Sequence, residues 1–314
     1  MTNRNKKRRD GHRPPTRVAE RPSAPASRPG ILSSMFSARG SGATNMPRVR
    51  TSFVRGLVVV LSTPVLLGGV VGGVFLIWLA ALALGFQGPA SVMSSALSMP
   101  PIGTLFDLRI TAQLIGSGDT GSLVLGLIPL AGARAVVTGI LLGLSVEVLE
   151  TGRTTASGVR RGLLAAPIVL IVTVIEIGFL FVGNIVGQLV GQGLSLFVGI
   201  AAVAGAVYLL GYAPVAYLRE GRGALESLSR GSSASRIPGT SALAMALLYT
   251  VPALFLQQIP VGGLGVNPSP MIWVFVLCVN ILHVAVLVTY AYRWMCIEDE
   301  VPEPTPARER PRRR

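Results

Sequence analysis

The chain is 314 residues long, 50% hydrophobic and only 13% charged, with a mean hydropathy of +0.60. A soluble domain carries roughly 25% charged residues, so lipid rather than water is the solvent to expect. Two cysteines exclude a disulfide framework, and the net charge of +14 is gathered at a few places rather than spread over a surface.

Residues 1–52 open the chain with Arg, Pro, Ser and Gly and a basic cluster at Lys6, Lys7, Arg8 and Arg9. Such a segment buries too little apolar surface to offset its ordering entropy, so a disordered tail is predicted. Residues 297–314, with Pro302, Pro304, Pro306 and the run Pro311 to Arg314, predict a second one. Lys6 and Lys7 are the only lysines among 28 basic residues. That bias reads as GC-rich coding and a prokaryotic source.

Between the tails, residues 53–296 predict an all-α, polytopic transmembrane bundle, each span needing about 20 apolar residues to cross roughly 30 Å of hydrocarbon. The first span falls within 57–86. Gly56 to Phe86 is 31 residues without a charge, longer than the roughly 7–15 of a signal-peptide core, so a retained helix is predicted. The second covers 121–149 and the third 162–190. Gly191-Gln192-Gly193 then divides a charge-free run and opens a fourth at 194–217. The segment Pro260 to Pro270, rich in glycine, separates a fifth at 240–260 from a sixth at 270–293. The loop 87–120 is the sizeable outer segment, either a cap over the bundle mouth or a passive connector.

Charge placement orients these six spans. Of the 28 basic residues, 13 lie in 1–55, three in 150–162, four in 218–236 and six in 293–314, leaving Arg109 and Arg134. Six spans put the first four groups on one side, 26 charges against Arg109 alone, which the positive-inside rule assigns to the cytoplasm. Both termini are therefore expected in the cytoplasm and the protein in the plasma membrane. Trp273, Trp294 and Tyr217 read as aromatic anchors at span ends. Gly139/Gly143, Gly183/Gly187/Gly191, Gly68/Gly72 and Gly69/Gly73 recur at four-residue spacing, which lets helix backbones approach closely.

Three ionisable residues fall at mid-membrane, where a charge costs about 2.5–3.5 kcal/mol even on insertion scales. They are Arg134 in the second span, Glu176 in the third and His283 in the sixth, with Asn280 one turn before His283. The second and third spans make a hairpin centred near 155.5, which puts Arg134 21.5 positions before and Glu176 20.5 after. One residue of mismatch is about 1.5 Å of rise, so both are expected at one depth. A buried ion pair that fixes hairpin register accounts for them; so does a site for an anion, a proton or a polar solute. Asn184, Gln188 and Gln192 form a polar stripe on the third span, read either as interhelical hydrogen bonding or as a wet vestibule. Pro129 and Pro252 mark points where the second and fifth helices can kink.

The two basic loops echo each other. Gly152-Arg153, seven residues, then Arg161-Gly162 matches Gly221-Arg222, seven residues, then Arg230-Gly231, as a duplicated helix-loop-helix unit or as shared loop chemistry. The stretch Tyr217-Leu-Arg-Glu-Gly-Arg-Gly-Ala-Leu-Glu-Ser-Leu-Ser-Arg230 resembles the loop after the fourth helix in six-span prokaryotic membrane proteins of the glycerophosphodiesterase membrane-domain-like group. The resemblance covers that loop in sequence and the central region in topology. It implies an integral membrane domain that is not itself catalytic.

No His/Cys set has metal-ligand spacing, no phosphate-cradling loop carries a Lys, and no Ser/His/acid set shares one depth. The sequence therefore predicts no cofactor, no metal and no enzyme. The expected partners are the bilayer, anionic lipid headgroups at the basic tails, and membrane proteins or a second copy of the chain; a nucleic acid is disfavoured because no folded basic module is present. Two functions are expected from this pattern, ahead of a third, a lipid-linked enzyme. One is a non-enzymatic membrane-organising or partner-binding component. The other is a small-solute, lipid or proton-coupled transporter using Arg134, Glu176 and His283.

Overall fold

The computed structural model of the chain describes residues 46–83, 120–258 and 270–301. Among the described residues there are nine α-helices and no strand. They are α1 (Val49–Ser62), α2 (Pro64–Ala83), α3 (Thr120–Thr151), α4 (Ala156–Val190), α5 (Gln192–Leu210), α6 (Ala213–Glu220), α7 (Ala224–Ser235), α8 (Ala242–Gln258) and α9 (Pro270–Ile297), followed by a 3-10 turn at Glu298–Glu300. Four segments are long and apolar enough to cross a bilayer: Ala131–Thr151, Ala156–Glu176, Phe197–Glu220 and Val276–Glu300. The pair α1 and α2 makes a fifth if taken as one bent span. The chain is thus all-α with several helices fit to span a membrane. The loop 87–119, residues 1–45 and residues 302–314 lie outside the described residues.

The first apolar run is not one straight helix. It bends by 86° between α1 and α2, because Pro64 has no backbone N–H to donate and its ring drives the preceding residue out of the helical region. Thr63 accordingly sits at φ −110°, ψ 98°. Helix starts four residues inside the segment 1–52 that reads as tail, at Val49. α1 runs antiparallel along α9: a Cβ on Gly56 would lie 2.5 Å from both the Ala285 carbonyl and the Thr289 hydroxyl, so only a glycine allows this approach.

α4 ends at Gly191, whose φ of 112° and ψ of 152° suit glycine alone, and α5 starts at the next residue. α5 and α6 are joined through Gly211-Tyr212. Helix continues into what reads as the basic loop 218–236: α7 is an amphipathic helix that buries Ser227, Arg230, Gly231, Ala234 and Ser235 and leaves Leu225 exposed.

α3 and α4 form a hairpin closed by a four-residue turn. Gly139 and Gly143 on α3 meet Gly158 and Gly162 on α4 so closely that a Cβ on Gly162 would strike the Gly139 carbonyl and the Ile140 backbone. Glu147 completes the turn. Its carboxylate, only 4% exposed, accepts from the Thr155 N–H at 2.8 Å, the Thr155 hydroxyl and the Ser157 hydroxyl. Thr155 is in turn the N-cap of α4, so a side chain at the end of one helix satisfies the orphan donors that start the next.

α9 is the central helix, packed on α1, α2, α3 and α6. Every residue from His283 to Ala291 is buried, the mark of a helix surrounded on all sides. Trp294 belongs to this core with no exposure at all and packs on Tyr212, ring centroids 5.9 Å apart. It is not an anchor at the lipid boundary. Outward, α2 shows lipid-sized apolar groups such as Val71, Phe75 and Leu76, and α4 shows Leu164, Val174 and Val182. Apolar groups outside with polar groups inside suit hydrocarbon surroundings.

The two basic loops are alike in space as well as in sequence. Gly152 and Gly221 follow α3 and α6 with φ of +71° and +64°, the left-handed cap that favours glycine. In each hairpin the arginine before the second glycine pairs back to the first helix, Arg161 to Glu150 at 3.1 Å and Arg230 to Glu220 at 2.6 Å. Gly162 and Gly231 then pack against backbone, of α3 and of Ala213 respectively.

Candidate functional site in the membrane core

Several small polar side chains in the bundle are satisfied by their own helices. Ser145 donates to the Leu141 carbonyl, Thr173 to Val169, Thr289 to Ala285, and the Asn280 amide to Val276 at 2.8 Å. This back-bonding is how short polar groups avoid an unmet donor in hydrocarbon. Longer groups cannot reach their own backbone this way, and they converge on one region.

Arg134 on α3, Glu176 on α4, and Asn280 and His283 on α9 are all buried, with exposures of 0%, 3%, 0% and 8%. Tyr249 of α8 joins them. Its ring lies 5.8 Å from that of His283, and its hydroxyl is within electrostatic reach of Glu176, Tyr290 and Arg134. The Tyr290 ring lies 5.1 Å from that of Tyr212. Asn280, His283, Tyr290 and Trp294 follow one face of α9 at three-, seven- and four-residue steps, which is why one helix supplies so much of the lining. Glu176 Oε1 and the hydroxyls of Tyr249, Thr250 and Tyr290 are buried with no hydrogen-bond partner among the described residues. An unmet polar atom in the interior costs about 1–3 kcal/mol.

The side chains of Asn184, Gln188 and Gln192 lie outside what the structure describes, as do those of Pro252 and Trp273. Helix α3 is continuous through Pro129. Among the described residues no group of three or more His, Cys, Asp or Glu side chains could hold a metal ion.

Another buried charge is absent from the mid-membrane set that hydropathy picks out. Arg293 is 1% exposed and held wholly by neutral acceptors. Its Nη1 donates to the Pro47 carbonyl at 2.9 Å and to Ser52 Oγ at 3.3 Å. Its Nη2 donates to the Thr240 carbonyl and to the Met46 sulfur, and Nε to the Tyr212 hydroxyl at 3.5 Å. The segment before α1, the start of α8 and the α5–α6 joint are thereby pinned to one guanidinium. In the sequence Arg293 closes the sixth span (270–293) and is the first of the basic group at 293–314; the one signal of burial is its position one residue before a tryptophan and within reach of the apolar face of α9.

At the same end of the bundle lies an ion-pair network. Arg219 bridges Glu150 and Glu298, Arg161 adds to Glu150, and Glu220 takes both Arg222 at 2.9 Å and Arg230. Arg230 also donates to the Val301 carbonyl at 2.9 Å. Arg55 stacks on Tyr292, 4.3 Å from the ring centroid. These contacts tie the ends of α3, α4, α6, α7 and α9 into one unit.

Fold and core together describe a helical bundle of membrane-compatible surface whose apolar core encloses a set of buried polar groups. No family model, no curated protein and no solved structure matches the chain.

Proposed function

We propose that the chain is a six-span plasma-membrane protein with both termini cytoplasmic, and that it handles a proton or a small polar solute at Glu176. The six spans are the bent pair α1–α2, then α3, α4, α5 with α6, α8 and α9. The network of Arg161, Arg219, Arg222 and Arg230, with Arg55 and Arg293 beside it, supports the orientation, since it gathers basic groups at one end of the bundle. The basic tails then meet the anionic headgroups of the inner leaflet. The Tyr217–Arg230 loop fits a membrane domain of the six-span group that it resembles, without a catalytic part.

The observation that carries the functional reading is the carboxyl of Glu176. It is 3% exposed, and its Oε1 has no hydrogen-bond partner among the described residues. A carboxyl kept to fix a fold is surrounded by donors, as Glu147 is. One left under-satisfied in the interior suits a group that takes up and releases a ligand. The test is proton movement in liposomes containing the full chain and a trapped pH indicator, under an imposed potential. Wild type is expected to dissipate the gradient faster than empty liposomes, and Glu176→Gln to abolish the difference. Equal rates for wild type and Glu176→Gln, both folded, would sink the proposal.

A second reading, a membrane-organising or partner-binding component, draws on the ion-pair network, which makes a rigid cytoplasmic face with Leu225 of α7 exposed on it. Co-purification of neighbours that is lost in Leu225→Ser, with proton movement absent in wild type, would favour it.

A further inference from the structure

Arginines at the ion-pair end of the bundle differ in what they meet. Arg161, Arg219, Arg222 and Arg230 each pair with a glutamate. Arg50 and Arg55 of α1 pair with no carboxylate among the described residues, and residues 46–62 contain no Asp or Glu. On the α9 side, the first acidic residue after Tyr292 is Glu298, which Arg219 takes. Both α1 arginines are exposed, as is Thr51 between them. Arg55 is nevertheless held in place. Its Nη1 donates to the Tyr292 hydroxyl at 3.0 Å, and its guanidinium carbon lies 4.3 Å from the centre of that ring. A guanidinium has five N–H donors, so most of them remain for a further acceptor.

Beyond the arginines the same face turns apolar. With 3.6 residues per turn, Val54, Val58 and Leu61 fall between Arg50 and Arg55 around the helix, and they are exposed by 49%, 57% and 53%. On the opposite side Ser52, Gly56 and Val60 are buried, Gly56 hard against α9, so this face is fixed outward. A soluble anion would satisfy the arginines and leave the valines in water. A zwitterionic lipid would cover the valines and bring a choline cation against two guanidiniums. We propose that the outward face of α1 binds an anionic phospholipid, its phosphate on Arg50 and Arg55 and an acyl chain along Val54, Val58 and Leu61; this rests on the chain lying in a bilayer and is independent of Glu176. The planar fork of arginine matches phosphate oxygens. From Arg55 to Leu61 the helix rises about 9 Å, enough to carry the contact from headgroup into hydrocarbon.

The test is native mass spectrometry of the full chain released from nanodiscs of equal phosphatidylglycerol and phosphatidylcholine, which shows the lipid that stays on the protein. Wild type is expected to retain phosphatidylglycerol in preference. Arg50→Gln/Arg55→Gln is expected to lower that preference by at least about fivefold, the factor that one basic contact near the surface supplies. Arg50→Lys/Arg55→Lys keeps the charge and is expected to keep the preference. Arg153→Gln/Arg160→Gln removes as much charge from exposed arginines elsewhere and is expected to leave it as in wild type. A wild type without preference, an unchanged preference in the α1 glutamine variant, or an equal fall in Arg153→Gln/Arg160→Gln overturns the site. Displacement of the lipid by excess inorganic phosphate overturns the lipid assignment. Should the α1 glutamine variant not fold, Val58→Asp sets a like charge on the same face and is expected to give the same fall; no fall there overturns the site too. If the preference holds while liposomes show no proton movement, the lipid site stands and the Glu176 reading falls. A chain that does not enter nanodiscs overturns both.

Discussion

Two glutamates on one helical hairpin are almost equally shielded from solvent, Glu147 at the turn and Glu176 deep in the bundle, and they are quite differently treated. Glu147, 4% exposed, closes the α3–α4 turn with three donors on its carboxylate. Glu176, 3% exposed, lies six turns up α4 with Oε1 unmet among the described residues. Burial alone therefore does not distinguish a structural carboxylate from a working one; the accounting of donors does. Where the fold needs an acid, it supplies the partners through a Thr-Ala-Ser turn. Where partners are withheld inside a bundle, the fold bears a cost that packing does not explain.

The comparison breaks most severely if the hairpin itself moves. Gly162→Leu drives a side chain into the α3 backbone at Gly139 and Ile140, with a cost expected above about 3 kcal/mol and loss of monodisperse protein on gel filtration. Arg293 sharpens the same contrast with the opposite charge, since it is buried yet fully supplied with acceptors. Arg293→Met is expected to cost about 2–4 kcal/mol and to expose the Met46–Ser52 segment to limited proteolysis; unchanged cleavage would show that the guanidinium does not pin that segment. The smallest effect belongs to the exposed pair. Arg161→Ala removes a contact to Glu150 from a side chain that is 53% exposed, and a thermal midpoint shifted by more than the roughly 0–1 kcal/mol of a surface ion pair would assign that pair a larger role.

Much of the frame was legible because bilayer physics leaves few choices. Arg134, Glu176 and His283 stand out as ionisable groups in apolar runs, and a buried face is the only inexpensive place for them. Gly191 is readable as a break, since its backbone suits no other residue. Gly139 and Gly143 announce a close approach, although their partners Gly158 and Gly162 lie partly in what reads as loop. Other features escape a reading by hydropathy. A window average is blind to direction, so the 86° bend at Pro64 hides inside a long uncharged run. α7 hides in a Ser-, Gly- and Arg-rich stretch, where the available signal is Leu225 and Leu228 spaced one turn apart with Glu226 in the first turn. Arg293 is hidden by charge counting, which treats every basic residue near a span end as solvated. Trp294 reads as an interfacial anchor for the same reason, whereas its burial against Tyr212 makes it core.

The most direct measurement is the thermal midpoint of Glu147→Gln beside that of Glu176→Gln, in the same nanodiscs. An amide at position 147 loses the charge that three donors converge on, and the expected result is a lower midpoint, by about 1 kcal/mol of stability as for a lost helix cap. An amide at position 176 removes no hydrogen bond from Oε1, and the expected result is a midpoint equal to wild type or above it. A drop for Glu176→Gln as large as that for Glu147→Gln would mean that Glu176 is held for the fold, and would contradict its assignment as the working group.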